Sequence, residues 1–299
     1  MSTIKNVALV GAAGNLGSVV FNKLVASGKF HVKVLRRLGS TSAFPQGTDV
    51  VDVDFSSLES LKAALQGQDA VISTLASMAI DTQRLLVDAA IAAGVSRFIP
   101  SEFGSNLNNP KTRQLPVFGP KVKLQDYLIE KSKGGDLTYT VVYNSAFLDW
   151  GLEQGFILKT SDYKPTIVDG GDLLFSTTTI SSIADAVVGI LSHPDETKNR
   201  AVFISDAVVT QNQLLALAKT LAPNKPWAPT YVKLDDLTAA ADARLAKGLL
   251  GPETFVPYLY RSIFDPGYGG NFQKTDNELL GVKGKTEKDI IEILRPLLT

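Results

Sequence analysis

The stretch Asn6–Gly17, NVALVGAAGNLG, constrains this chain more than any other. An apolar run, Val7–Val10, breaks into Gly11, Gly14 and Gly17, spaced three apart, and a helical pattern follows with Leu16, Val19, Val20 and Leu24 on one face. This reads as a strand, a tight turn and a helix whose first backbone N–H groups have no partner within the helix. Such a helix start attracts a pyrophosphate through those donors and the positive end of the helix dipole. Gly11 lets the chain turn, Gly14 lets backbone approach phosphate, and Gly17 lets helix pack against strand. Gly11, Gly14, Asn15, Leu16 and Gly17 are therefore the candidate cradle for a dinucleotide.

Strand and helix patterns alternate from there, which predicts an α/β fold: a doubly wound parallel sheet of the Rossmann kind, with about seven strands. The expected strands are Val7–Val10, His31–Leu35, Asp49–Val53, Asp69–Leu75, Arg97–Pro100, Leu137–Tyr143 and Ala201–Ser205. Helices are expected after Ser56-Ser57-Leu58-Glu59, a capping-box spacing, from about Asp81 to Ala93 with Gly94 as its left-handed cap, and from Pro120 to Lys133. Ser101–Pro116 reads as a polar loop. After Asn144 the pattern loosens, with further helices at Ile183–Leu191, Gln211–Leu221, Asp235–Leu250, Pro252–Phe264 and Glu287–Leu298. Pro223, Pro226 and Pro229 mark a break, and Pro266–Asn271 reads as a flexible glycine-rich loop. The expected division is a nucleotide-binding domain over 1–155 that also receives about 176–221, with a smaller, mostly helical substrate-binding part from 156–175 and 222–299.

Charge and cysteine content narrow the function classes. Lys plus Arg and Asp plus Glu both number 30, so no global field favours nucleic acid or an anionic membrane. With no cysteine, disulfides, thiolate catalysis and cysteine metal sites are excluded. The two histidines, His31 and His193, lie far apart and read as turn residues, so no metal is expected. Without a signal-like start or a membrane-length apolar run, the expected address is cytoplasmic.

The end of the second strand selects the nucleotide. An acid there holds the ribose 2′-hydroxyl of NAD, whereas arginine suits the 2′-phosphate of NADP. Here Arg36 and Arg37 occupy the position with no acid nearby in the sequence, and a guanidinium matches phosphate with parallel charge-assisted bonds, so NADP(H) is favoured. Because ligands lie outside the carboxyl ends of the strands, Asp54 is expected beside the adenine, and Thr74, Leu75 and Ala76 beside the ribose and pyrophosphate. A hydride transfer also needs a proton for the oxygen that gains charge. The Tyr-x-x-x-Lys pair of common short-chain dehydrogenases is absent, since the residue four before Lys121 is Val117.

The glycine run GAAGNLG, the segment RFIPSEFG at Arg97–Gly104 and Lys121 opening KVKLQDYLIEKS resemble the NmrA-like, isoflavone reductase-like group. These are atypical short-chain reductases related to phenylcoumaran benzylic ether and pinoresinol–lariciresinol reductases. The resemblance is closest to fungal members and covers roughly Val7–Phe147. It implies an NADPH-dependent reductase with Lys121 as the proton-transfer residue, and Lys123 as a neighbour that could be confused with it. It also implies Arg37 as the main 2′-phosphate ligand with Arg36 assisting, and Phe147 stacked near the nicotinamide beside Asn144 and Ser145. Glu102 and Phe103 would line the crevice floor. Independently, a lysine in a first helical turn and a partly dry crevice has its pKa lowered by dipole and desolvation, as proton transfer near neutral pH requires.

Tyr143, at the sixth strand's carboxyl end, is a candidate hydroxyl beside the substrate, and Trp150 a candidate aromatic contact. The leading expectation is a reductase of a small, aromatic or carbonyl-bearing metabolite. Two alternatives stay open: a non-catalytic NADP-sensing regulator acting through protein partners, and an NADP-dependent isomerase or epimerase.

Overall fold

The structure, a computed structural model, describes residues 3–76 and 82–298. Strands β1 (Asn6–Val10), β2 (His31–Arg37), β3 (Asp49–Val53), β4 (Ala70–Ser73), β5 (Arg97–Ile99) and β6 (Thr138–Tyr143) are followed by β7 (Ala146–Phe147), β8 (Thr166–Val168), β9 (Phe175–Thr178), β10 (Arg200–Phe203), β11 (Ala207–Val209) and β12 (Thr230–Val232). Helices α1 (Asn15–Ala26), α2 (Leu58–Leu65), α3 (Gln83–Ala92), α4 (Pro110–Arg113), α5 (Gly119–Ser132), α6 (Leu148–Glu153) and α7 (Ile180–Ser192) precede α8 (Pro194–Thr197), α9 (Gln211–Leu221), α10 (Leu234–Ala246), α11 (Pro252–Phe264), α12 (Asn277–Leu280) and α13 (Glu287–Leu294).

Seven strands form one parallel sheet in the order β10-β6-β5-β4-β1-β2-β3. This is the doubly wound arrangement, in which the chain reverses direction across the sheet between β1 and β4 and leaves a crevice at their carboxyl ends. Strand alternation explains the two faces. Val7 and Leu9 of β1 join Val20, Leu24, Ile183 and Val187 of α1 and α7, while Ala8 and Val10 face Leu61, Leu86 and Leu124 of α2, α3 and α5. Each fully buried Leu or Val contributes about 2 kcal/mol of hydrophobic stabilisation.

Two small sheets sit beside the large one, β11-β9-β7 and β12-β8. A third apolar core joins β7, β8 and β9 to α6, α9, α11 and α13, through Leu148, Phe175, Leu214, Ile263 and Leu294. Among the described residues, no helix is long and apolar enough to cross a membrane.

The structure departs from the sequence expectations at turns and ends. The polar loop holds a short helix, α4, because Asn109 caps it by accepting from the Lys111 and Thr112 amides at 2.9 and 3.3 Å and Pro110 fits the first turn. The cap of α2 is Ser57, which accepts from the Ser60 amide at 3.2 Å rather than forming a box with Glu59. The expected helix start at Asp81 lies outside the described residues. The last helix stops at Leu294 and tightens into a 3-10 turn at Arg295–Leu297, where Pro296 lacks the N–H needed to continue it. The 266–271 loop is tied down rather than loose: the Gly270 carbonyl accepts from the Ser145 hydroxyl and the Ser176 amide, each at 3.0 Å.

Candidate active site

The glycine turn has the shape its residues demand. Gly11 has φ +82°, and a Cβ there would lie 2.8 Å from the Thr74 carbonyl oxygen. A Cβ at Gly17 would stand 2.0 Å from the Gly11 carbonyl oxygen, so only glycine lets α1 sit this close to β1. The Gly14 amide donates to the Gly11 carbonyl at 3.0 Å and closes the turn. Gly14 caps α1 without a side chain, and the first turn of α1 contains no acidic residue. Its leading N–H groups therefore face the crevice with no side chain among the described residues competing for them, an arrangement that fits a diphosphate.

A cavity of about 300 Å3 opens there, at the carboxyl ends of β1, β4 and β5. It gathers Gly14, Asn15 and Leu16 from the turn, Thr74 and Leu75 after β4, Glu102 and Phe103 after β5, Lys121 from α5, and Phe147 and Trp150 from β7 and α6. The Phe147 and Trp150 rings meet edge to face with centroids 6.4 Å apart. A larger groove of about 680 Å3 lies at the opposite ends of the strands, by Asn6, His31 and Asp49, away from all of these groups.

Lys121 stands in the first turn of α5, half-buried, and its ammonium donates to the backbone carbonyl of Glu102. Burial holds its pKa below the ordinary lysine value, partly offset by the Glu102 carboxylate. Glu102 is 2% exposed, and its Oε1 has no hydrogen-bond partner among the described residues. Burial raises its pKa to about 7 against the opposing pull of Lys121 and Arg113. Lys123 is exposed, on another side of the helix.

Beneath the cavity the chain turns from β6 into β7 through Ser145, whose φ of +54° is a left-handed conformation that a non-glycine residue adopts only under constraint. The Gly104 carbonyl supplies that constraint by accepting from the Asn144 and Ser145 amides at 3.1 and 3.0 Å. Asn144 is fully buried, and its Oδ1 has no partner among the described residues.

Several expected site residues stand elsewhere. Tyr143 is fully buried and does not line the cavity: β6 turns its ring against Phe203, with centroids 5.3 Å apart. Its hydroxyl accepts from Gln125 at 2.8 Å, and burial raises its pKa. Arg36 does have an acid nearby. Parallel register sets Asp52 opposite it, and the carboxylate takes Nε and Nη2 at 2.6 and 3.0 Å. A third bond, Nη1 to the Ser42 carbonyl at 2.8 Å, completes the hold. Arg37, exposed at the same strand end, has no side-chain partner among the described residues. Asp54 accepts from the Ser56 amide and hydroxyl at 2.9 and 2.6 Å, bonds that lower its pKa and shape the entry to α2. Arg36, Arg37 and Asp54 thus mark the β2–β3 rim, outside the cavity lining.

Two lining residues escaped the sequence reading. Ser101 lies within RFIPSEFG, and its hydroxyl donates to the Leu75 carbonyl at 2.6 Å, so the polar residue beside Glu102 was the available signal. Ile180 begins α7 and reaches the cavity because β9 pairs with β7, a contact no local pattern announces.

The model of the NmrA-like family matches residues 3–237. The chain is 35% identical over 298 residues to "Oxidoreductase aprR" of Aspergillus flavus, covering 97% of this chain and 98% of that protein. Among solved structures, "AtPrR2 with NADP+ and (+)pinoresinol" superposes with TM-score 0.79 at 22% identity, covering 99% of this chain and 100% of that one. The leucoanthocyanidin reductase–NADPH complex from Vitis vinifera superposes with TM-score 0.78 at 20% identity, covering 98% and 99%.

Proposed function

The chain belongs to the NmrA-like family, and from that membership and the cleft we propose that it is an NADPH-dependent reductase of a small aromatic or carbonyl-bearing metabolite, with Lys121 as the proton-transfer residue. A single cavity that joins an open helix start, an aromatic pair and a half-buried lysine carries this reading. The relative named an oxidoreductase and the neighbours solved with NADP+ or NADPH support it.

The residues divide the work by chemistry. The first-turn N–H groups after Gly14 bind the diphosphate, and Arg37 supplies a free guanidinium for a 2′-phosphate while Asp52 keeps Arg36 extended beside it. When bound, NADPH supplies a hydride for an electrophilic carbon. Phe147, Trp150 and Ile180 present apolar surface that excludes water and suits a flat substrate. Lys121 gives its proton to the oxygen that gains charge, and burial of the ammonium eases that release near neutral pH.

Lys121→Met keeps the length and removes the proton. Turnover, followed as NADPH consumption against aromatic ketones, enones and benzylic ethers, should fall at least about a hundredfold while calorimetry still detects coenzyme binding. Undiminished turnover in that variant would remove lysine from the mechanism. Absence of coenzyme binding by the parent protein would remove the reductase reading itself.

A further inference from the structure

We infer that Glu102 sets the charge state of Lys121 and is thereby a positioning residue for proton transfer, an inference that rests on the reading of Lys121 given above. The backbone holds the two together. Residues 102–104 continue past β5 alongside β6, with Gly104 bridged to Tyr143 and the Glu102 carbonyl occupied by the Lys121 ammonium. A Cβ at Gly104 would lie 3.5 Å from the Glu102 carbonyl oxygen and 4.0 Å from Lys121 Nζ, so the ammonium packs directly over this segment.

The carboxyl is buried, and its Oε1 has no donor among the described residues, so none of their hydrogen bonds compensates a negative charge at that atom. Three titratable groups act on it: Lys121 from α5, Arg113 from α4 and Tyr143 from β6. Arg113 is committed elsewhere, to the Gln125 carboxamide and the Asp126 carboxylate. The Tyr143 hydroxyl is held by Gln125 at 2.8 Å and rarely ionises in that environment. Lys121 is the cation left to balance the charge on Glu102.

Each group therefore controls the other. Burial drives both toward neutrality, and either charge restores the opposite one, so the pair titrates as a unit. An ionised Glu102 keeps the lysine protonated and ready to donate. A neutral residue at 102 leaves the lysine to lose its proton at lower pH.

Competitive acetylation of the free protein, read by mass spectrometry on the Lys121 peptide across a pH series, measures this without substrate or coenzyme. In Glu102→Gln the labelling midpoint should move to lower pH by about one pH unit. The reciprocal measurement leaves Glu102 in place: in Lys121→Met, the infrared band of a protonated buried carboxyl should persist to higher pH than in the parent protein. If Glu102→Gln fails to fold, the infrared comparison decides. An unchanged labelling midpoint in a folded Glu102→Gln, or an unchanged carboxyl band in Lys121→Met, overturns the inference. A shifted midpoint in a protein that turns over no substrate would retain the coupling and discard the reductase reading.

Discussion

Gly17 shows how a single hydrogen can decide a fold. Replacing it with alanine places a methyl 2.0 Å from the Gly11 carbonyl oxygen, which is backbone and cannot swing aside. Gly17→Ala should cost on the order of 1–3 kcal/mol and weaken coenzyme binding, checked by denaturant midpoint and calorimetry. Arg37 is the opposite case, a residue whose loss should leave the fold untouched. Arg37→Ala should weaken NADPH binding about tenfold or more and leave NADH binding unchanged, because only the former carries the extra phosphate. Equal losses for both coenzymes would mean that Arg37 contacts something other than the 2′-phosphate. The glycines were legible because spacing and the surrounding strand and helix state their purpose. The hold on Arg36 was not, because Asp52 lies sixteen positions along the chain and arrives only through strand register.

At the level of elements, the sheet separates the residues that secure strands from those that offer chemistry. Arg97 opens β5 at the end remote from the cavity and is 3% exposed. Its guanidinium donates to the Thr138, Thr140 and Thr197 hydroxyls at 2.8, 3.0 and 3.1 Å and to the Pro194 carbonyl, joining β5, β6 and α8. Burial lowers its pKa to about 10, with Asp195 opposing. Arg97→Met should destabilise the protein by about 2–4 kcal/mol while the coenzyme dissociation constant stays within twofold, roughly, as measured by denaturation and calorimetry. The long parallel strands and their helices were readable from apolar runs and caps. Strands β7, β11 and β12 were not, since two or three residues carry no period and their pairing comes from distant segments.

For the whole molecule, the buried carboxyl makes stability depend on pH. Glu102 titrates near 7 in the fold against 4.5 when free. A raised acid favours the folded state fully below its unfolded value and loses that advantage as pH rises through its folded value. Stability should therefore fall as pH rises from the free carboxyl's value through the raised one, and the fall should be smaller in Glu102→Gln. Chemical denaturation of both proteins at pH 5 and pH 8 checks this, and parallel pH dependences would assign the titration to another group.

The lining of the cavity also draws on two sheets. Gly14, Thr74 and Glu102 hang from the large sheet, whereas Phe147 rides on β7, which pairs with β9, and β9 leads directly into Ile180. The Gly270 carbonyl, through Ser145 and Ser176, and the Phe272 amide, through the Ser176 hydroxyl, tie the small sheet to the C-terminal segment. The last thirty residues therefore brace the aromatic wall through Gly270 and Phe272 and the core beneath the phosphate end through Leu280 and Val282, so one segment steadies both what the cleft accepts and what powers it.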